Sequence, residues 1–231
     1  ITFDDGYFNN LSQVLPIHNA LDIPFTIFNT TFWLDKNKLF WWEIFEQFIE
    51  RKQFKTEVDT KLLLDNLMTF TTVADKEKFI FDNSIHQTPV INDDNRSLTE
   101  AEFLKLANNK LVTIGSHTLS HPRLSKLDSQ AQMNEILLSK SDLEKRINNP
   151  VTLFSYPHGG KTAFNEESKM LVKEAGYSYA FAAYSGVVHE GFDPFEIPRI
   201  HVGDITANQL AKKLQKFISN HPCPSLVLLE H

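Results

Sequence analysis

The chain has 231 residues, 42% of them hydrophobic and 19 of them phenylalanine, so it can bury a sizeable core and reads as globular rather than disordered. A formal net charge of -6, with no stripe of Lys and Arg, argues against a nucleic-acid partner. The single cysteine, Cys223, excludes an internal disulfide framework, no apolar run approaches membrane-spanning length, and no signal peptide is visible.

The chain opens on Ile1-Thr2-Phe3-Asp4-Asp5-Gly6, inside what should be a longer first strand, so an upstream segment is expected to have been removed. Successive side chains of a strand point to opposite faces, so Asp4 and Asp5 can share a site only where the strand is ending. Gly6 supplies such an ending, because it adopts backbone angles that other residues avoid. Two carboxylates there can divide labour, one holding a metal and the other taking a proton. A solvated Asp-Asp-Gly turn is the plainer alternative.

Apolar spacing predicts a helix over residues 8–20, kinked or shortened by Pro16, and a buried strand over 23–28. Strand, helix, strand is the opening unit of a parallel α/β fold. Residues 33–100 break that rhythm with helical patterns over 40–49, 57–69 and 75–85, and are expected to be a helical insertion rather than a separate domain. Trp33, Trp41 and Trp42 suit either stacking on sugar rings or, as is commoner, fastening the insertion to its host.

The rhythm resumes with a helix over 98–107 capped by Thr99, then a strand over 111–114 closed by Gly115. Further helices are expected over 128–147, 164–175 and 206–219, and further strands over 151–154, 179–183, 196–202 and 225–228. Leu229-Glu230-His231 resembles the start of a C-terminal Leu-Glu-polyhistidine purification tag, so a single domain is expected over residues 1–228.

Three strand ends carry chemistry-bearing residues. His117 and His121 lie four apart, and one helical turn would set both imidazoles on one side, although Pro122 keeps such a turn short. Two imidazoles and one carboxylate leave coordination positions open for water and substrate. Two unrelated loop histidines are the alternative. At 154–160 a Pro-Gly bend at Pro157 and Gly159 can turn backbone N–H groups toward a developing oxyanion, or be an ordinary turn. Arg199 and His201 alternate onto one face of the strand over 196–202.

Thr2-Phe3-Asp4-Asp5-Gly6, Ser116-His117-Thr118-Leu119-Ser120-His121-Pro122 and Phe154-Ser155-Tyr156-Pro157-His158-Gly159 resemble, in order, the first three motifs of the polysaccharide deacetylases, the NodB-homology enzymes of carbohydrate esterase family 4. That resemblance implies an α/β fold, a distorted (β/α)7 barrel bearing the insertion at 33–100, and metal-dependent removal of acetyl groups from N-acetylated sugars of a poly- or oligosaccharide. It implies that Asp5, His117 and His121 hold one divalent metal, commonly zinc, with cobalt, nickel or manganese as alternatives. Asp4 would be the general base acting on water, and the turn Tyr156-Pro157-His158 would face the substrate, with the His158 N–H at the oxyanion. Thr118 and Ser120 could support the site, although surface solvation is the commoner role for such residues.

The departures also matter. The motif arginine that orients the catalytic aspartate is replaced by Ser155, and Arg199 is the candidate to reach that carboxylate from another strand. The Asp-containing fourth motif is not evident. The final Leu-x-His falls on the tag-like residues, which leaves His201 as candidate acid, or else as a half-buried structural histidine. His18, His86, His189 and His221 are expected at the surface. An acetylated glycan is the expected partner. A catalytically impaired carbohydrate-binding relative, an O-deacetylase or a cyclic amide hydrolase are the alternatives.

Overall fold

Five short β-branched and aromatic segments alternate with helices, and short parallel strands need helical crossovers to be joined. A computed structural model describes residues 1–34, 38–55, 59–85, 88–188 and 190–220. In it the strands β1 (Thr2–Phe3), β2 (Phe25–Asn29), β3 (Val112–Ser116), β4 (Leu153–Ser155) and β5 (Tyr179–Phe181) form one parallel sheet in sequence order. The sheet curls into a half-barrel, and a parallel bridge from Phe181 to Ile197 extends it past β5. The strand expected over 196–202 is therefore reduced to that bridge. The strand expected over 225–228 and the tag-like residues lie outside the described residues.

The first crossover combines a π-helical turn, Asn10–Val14, with helix α1 (Leu15–Leu21). Pro16, which has no N–H to donate, stands at the start of α1, and the Leu15 N–H reaches back five residues to the Asn10 carbonyl. The expected single helix over 8–20 is thus split at its proline. Helices α2 (Trp41–Glu50), α3 (Thr60–Leu67) and α4 (Val73–Asn83) make up the insertion. Helix α5 (Glu100–Ala107), closed at its start by a Thr99–Glu102 capping box, returns the chain to the sheet. Helices α6 (Ser129–Ile147), α7 (Glu166–Glu174) and α8 (Ala207–Asn220) follow.

Two apolar clusters result. One lies between the sheet and helices α5, α6 and α7, with Ile27, Phe103, Ile136, Phe154 and Ala180 fully buried. The other fills the insertion around Trp33, Phe40, Trp41, Phe48 and Ile80. The bridge Tyr7–Ser97 and the Phe8 N–H on the Arg96 carbonyl tie the insertion to the loop after β1, the bridge Leu39–Arg96 joins the insertion's two ends, and Trp33 and Trp41 are buried, so they fasten rather than face a ligand.

Gly115 lies inside β3 rather than closing it. A Cβ there would stand 2.4 Å from the ring of Phe28, so glycine is required by the neighbouring strand's aromatic side chain and not by a turn. His18 is another correction. Its ring is buried against Phe25, centroids 4.3 Å apart, and its Nδ1 lies 2.8 Å from the Ile23 carbonyl. His86, His189 and His221 lie outside the described residues.

Candidate metal centre

Strand β1 stops at Phe3, and the next residues turn sharply: Asp5 has φ 73° and Gly6 φ 89°. This left-handed pair breaks the strand alternation and lets Asp4 and Asp5 face one site. A Cβ on Gly6 would lie 2.4 Å from the Asn29 side chain, so glycine meets two demands there. The Asp5 carbonyl is held by Thr30, whose Oγ1 donates to it at 2.9 Å.

His117 and His121 follow β3 on a loop that is not helical. Thr118 (φ 65°) and His121 (φ 58°) are both left-handed, which overturns the helical turn expected from their spacing. A β-branched threonine is rarely found in that region. Its compensation is local: Thr118 is fully buried and its Oγ1 accepts the His121 N–H at 3.0 Å. Ser120 donates its N–H and hydroxyl to Glu135 on α6. Neither residue merely meets solvent.

Asp5, His117 and His121 present ligand atoms that all lie within 4.8 Å of one another. Asp5 Oδ1 stands 3.4 Å from His117 Nε2 and 3.3 Å from His121 Nε2, and this buried oxygen has no hydrogen-bond partner among the described residues. His117 Nδ1 lies 2.7 Å from the Ser155 carbonyl, which can only accept, so the ring proton sits on Nδ1. When the ring is neutral its Nε2 lone pair therefore points at a carboxylate oxygen. A cation, or a second proton on the His117 ring, reconciles these atoms, and two imidazoles with a carboxylate are a donor set that a divalent ion takes. The carboxylates make the pocket favour positive charge. Burial lowers the His117 pKa, but Asp4 and Asp5 outweigh it and the net shift is upward. Burial, then the charge of His117, holds His121 well below its ordinary value.

Asp4 lies alongside, its Oδ2 3.8 Å from His117 Nε2. Arg199 grips it with both arms of its fork: Nη1 to Oδ1 at 2.7 Å and Nη2 to Oδ2 at 2.7 Å. The same Nη2 reaches Ser155 Oγ at 2.9 Å, while Arg199 Nε donates to the Ala182 carbonyl. Burial pushes the Asp4 carboxyl up, yet the charges of His117 and Arg199, with hydrogen bonds from Arg199 and Ser155, bring it below the usual carboxylate range.

The remaining expected residues divide. The His158 ring packs 4.7 Å from that of His121, burial brings its pKa down to about 3, and its N–H carries no internal hydrogen bond among the described residues. Pro157 is buried beside it. Tyr156 turns away: its ring stacks on Phe164 in the core, its hydroxyl donates to the Phe195 carbonyl, and its N–H bonds to Phe181. It is a packing residue, because the position continues the inward face of β4. His201 is exposed, and its carbonyl accepts from Lys213 Nζ. Without a continuous strand over 196–202, the alternation that would have aimed it with Arg199 is lost.

Sequence reasoning named Trp42 only as a stacking or fastening residue and passed over Tyr7 and Glu43. Trp42, from α2, lays its ring 4.7 Å from His121 and donates Nε1–H to Tyr7, whose hydroxyl donates to Glu43 at 2.6 Å. Only the adjacency of Tyr7 to Gly6 could have signalled those two.

Residues 1–180 match the family model described as polysaccharide deacetylase, and the chain belongs to that family. YxkH of Bacillus subtilis (strain 168), assigned by name to the polysaccharide deacetylases, is 28% identical over 105 residues, 46% of this chain and 36% of that protein. The match thus spans just over a third of that relative. Among solved structures, the Streptococcus pyogenes deacetylase PplD in complex with acetate superposes with a TM-score of 0.58 at 16% identity, over 91% of this chain and 67% of that one. IcaB from Ammonifex degensii gives 0.56 at 16% identity, over 93% and 71%. These likenesses establish the shared barrel fold.

Proposed function

We propose that this chain hydrolyses the acetyl amide of N-acetylated sugars in a poly- or oligosaccharide, with Asp5, His117 and His121 holding one divalent cation, zinc in the first instance. Bound there, such an ion supplies Lewis-acid character, polarising a carbonyl and making water easier to deprotonate. Asp4 takes the proton, and Arg199 and Ser155 hold its carboxylate ionised and aimed. Water oxygen bonds to the acetyl carbon, the C–N bond breaks, and acetate and the sugar amine leave. The His158 N–H, which has no internal hydrogen bond among the described residues, would donate to the oxyanion formed in between. Asp4, once protonated, is the group positioned to return the proton to the departing nitrogen.

The observation that carries this reading is the unpartnered Asp5 Oδ1 between two Nε2 atoms, with a clamped second carboxylate beside it. A binding-only relative would be suggested by the missing motif arginine, but Arg199 brings a guanidinium to the same carboxylate. The test is elemental analysis paired with acetate release from N-acetylglucosamine oligomers. Asp5→Asn and His117→Ala should each lose bound metal and activity. Asp4→Asn should keep the metal and lose activity by roughly 100-fold or more. Metal content unchanged by both of the first two substitutions would falsify the proposal.

A further inference from the structure

A cavity of about 360 Å³ lies between the insertion and the segment that follows His121. Asp65, Phe70 and Lys76 line one side, and Pro122, Arg123 and Lys126 the other. Lys76 is only 3% exposed, although an ammonium is costly to bury without a partner. Its Nζ lies 4.6 Å over the ring of Trp41, and among the described residues it has no carboxylate within ion-pair distance. Glu135 feels its charge but spends both oxygens on Ser120. Arg123 is half-buried and Lys126 exposed, and neither has an ion-pair partner among the described residues. Three cations thus face one exposed carboxylate, Asp65, across a space large enough for a small group.

The cavity adjoins the candidate metal centre. Lys76 sits on Trp41, Trp41 meets Trp42 at 5.4 Å, and Trp42 meets His121 at 4.7 Å. Pro122 and Arg123 follow His121 directly in the chain. Burial, and after it the charge of Arg123, pushes the Lys76 ammonium down to about 8, a cost that an arriving anion reverses.

We propose that this cavity binds an oxyanion, a carboxylate or phosphate carried on a sugar neighbouring the acetylated one, so that the favoured substrates are anionic glycans. The planar fork of Arg123 and the point charge of Lys76 are the donors that such a group takes. The link to a glycan rests on the deacetylase reading; the binding of an anion does not.

The test titrates metal-loaded protein with inorganic phosphate, D-glucuronate and neutral D-glucose at constant ionic strength, followed by NMR. One or both anions should bind and glucose should not, and the stronger of the two identifies the source. Arg123→Gln and Lys76→Met should each weaken that binding roughly tenfold or more. Lys126→Gln, at the exposed rim, should weaken it less. Anions that bind no better than glucose, or that bind equally well to Arg123→Gln and Lys76→Met, overturn the proposal. Should Lys76→Met fail to fold, Arg123→Gln alone decides. Acetate release from neutral N-acetylglucosamine oligomers is measured on the wild type in parallel. Its absence from the wild type would remove the deacetylase reading and leave the anion titration to stand by itself.

Discussion

Asp5, Thr118, His121 and His158 all have positive φ, and all four meet at the candidate metal centre. Such backbone angles cost about 1–3 kcal/mol each for residues other than glycine and persist only where surrounding contacts impose them. Here the contacts are visible: Thr30 on the Asp5 carbonyl, Thr118 on the His121 N–H, and Glu135 on Ser120. The Asp4–Arg199 pair shows what one side chain can do at this scale. A lysine at 199 keeps the charge but cannot make two parallel hydrogen bonds to one carboxylate. Arg199→Lys should therefore reduce acetate release by roughly 10- to 100-fold with bound metal unchanged, since Arg199 touches Asp4 and none of the three proposed ligands. Loss of metal along with activity would contradict this separation of roles.

At the scale of elements, β2 and β3 pair in register with Phe28 opposite Gly115. A Cβ at Gly115 would meet the fully buried Phe28 ring at 2.4 Å and the Leu153 carbonyl at 3.2 Å. Neither neighbour is the free end of a flexible chain. Gly115→Ala should cost about 1–3 kcal/mol of unfolding free energy, read from denaturant melts, with a lowered midpoint and an unchanged slope. Helices α5 and α7 follow their sequence signals closely, because their caps are local: Thr99 with Glu102, and Asn165 with Ser168. Elements whose form depends on distant partners depart from expectation. The segment 196–202 has the pattern of a strand, yet only Ile197 pairs, and Arg199 is held by Asp4, Ser155 and Ala182 instead.

At the scale of the whole molecule, the insertion and the barrel keep separate apolar clusters, and polar links join them. Arg96 is one such link. It stacks on Phe8, its residue bridges to Leu39, and its guanidinium forms two hydrogen bonds with Glu102 on α5. The hydrogen bond from Arg96 leads the causes that lower Glu102 from 4.5 to about 2. A carboxyl depressed in this way stabilises the fold fully above pH 4.5, and that contribution is lost as pH falls toward 2. Glu102→Gln should accordingly be less stable than the wild type at pH 7, with the gap closing in that acid range. A gap that stays constant with pH would assign the effect to the capping box alone. The proposed cation would be a cross-link within the barrel itself, since its ligands come from the ends of β1 and β3. Chelation should lower the melting temperature of the wild type by about 5–15 °C and leave Asp5→Asn unaffected.

By itself the sequence determined the alternating α/β rhythm, the helical character of the insertion, and the identity of the residues at three strand ends. Those are properties of local period, capping and motif, which neighbours in the chain carry. It also left Arg199 as the candidate to replace the guanidinium missing at Ser155. Only the tertiary structure decided that Tyr156 packs inward while His158 faces the cluster, that His18 is buried, and that His201 stands apart. It alone set Trp42 against His121 and opened a cationic cavity beside them. These outcomes turn on contacts between residues far apart in the chain, where a change of one strand residue or one left-handed angle redirects a side chain to the opposite face.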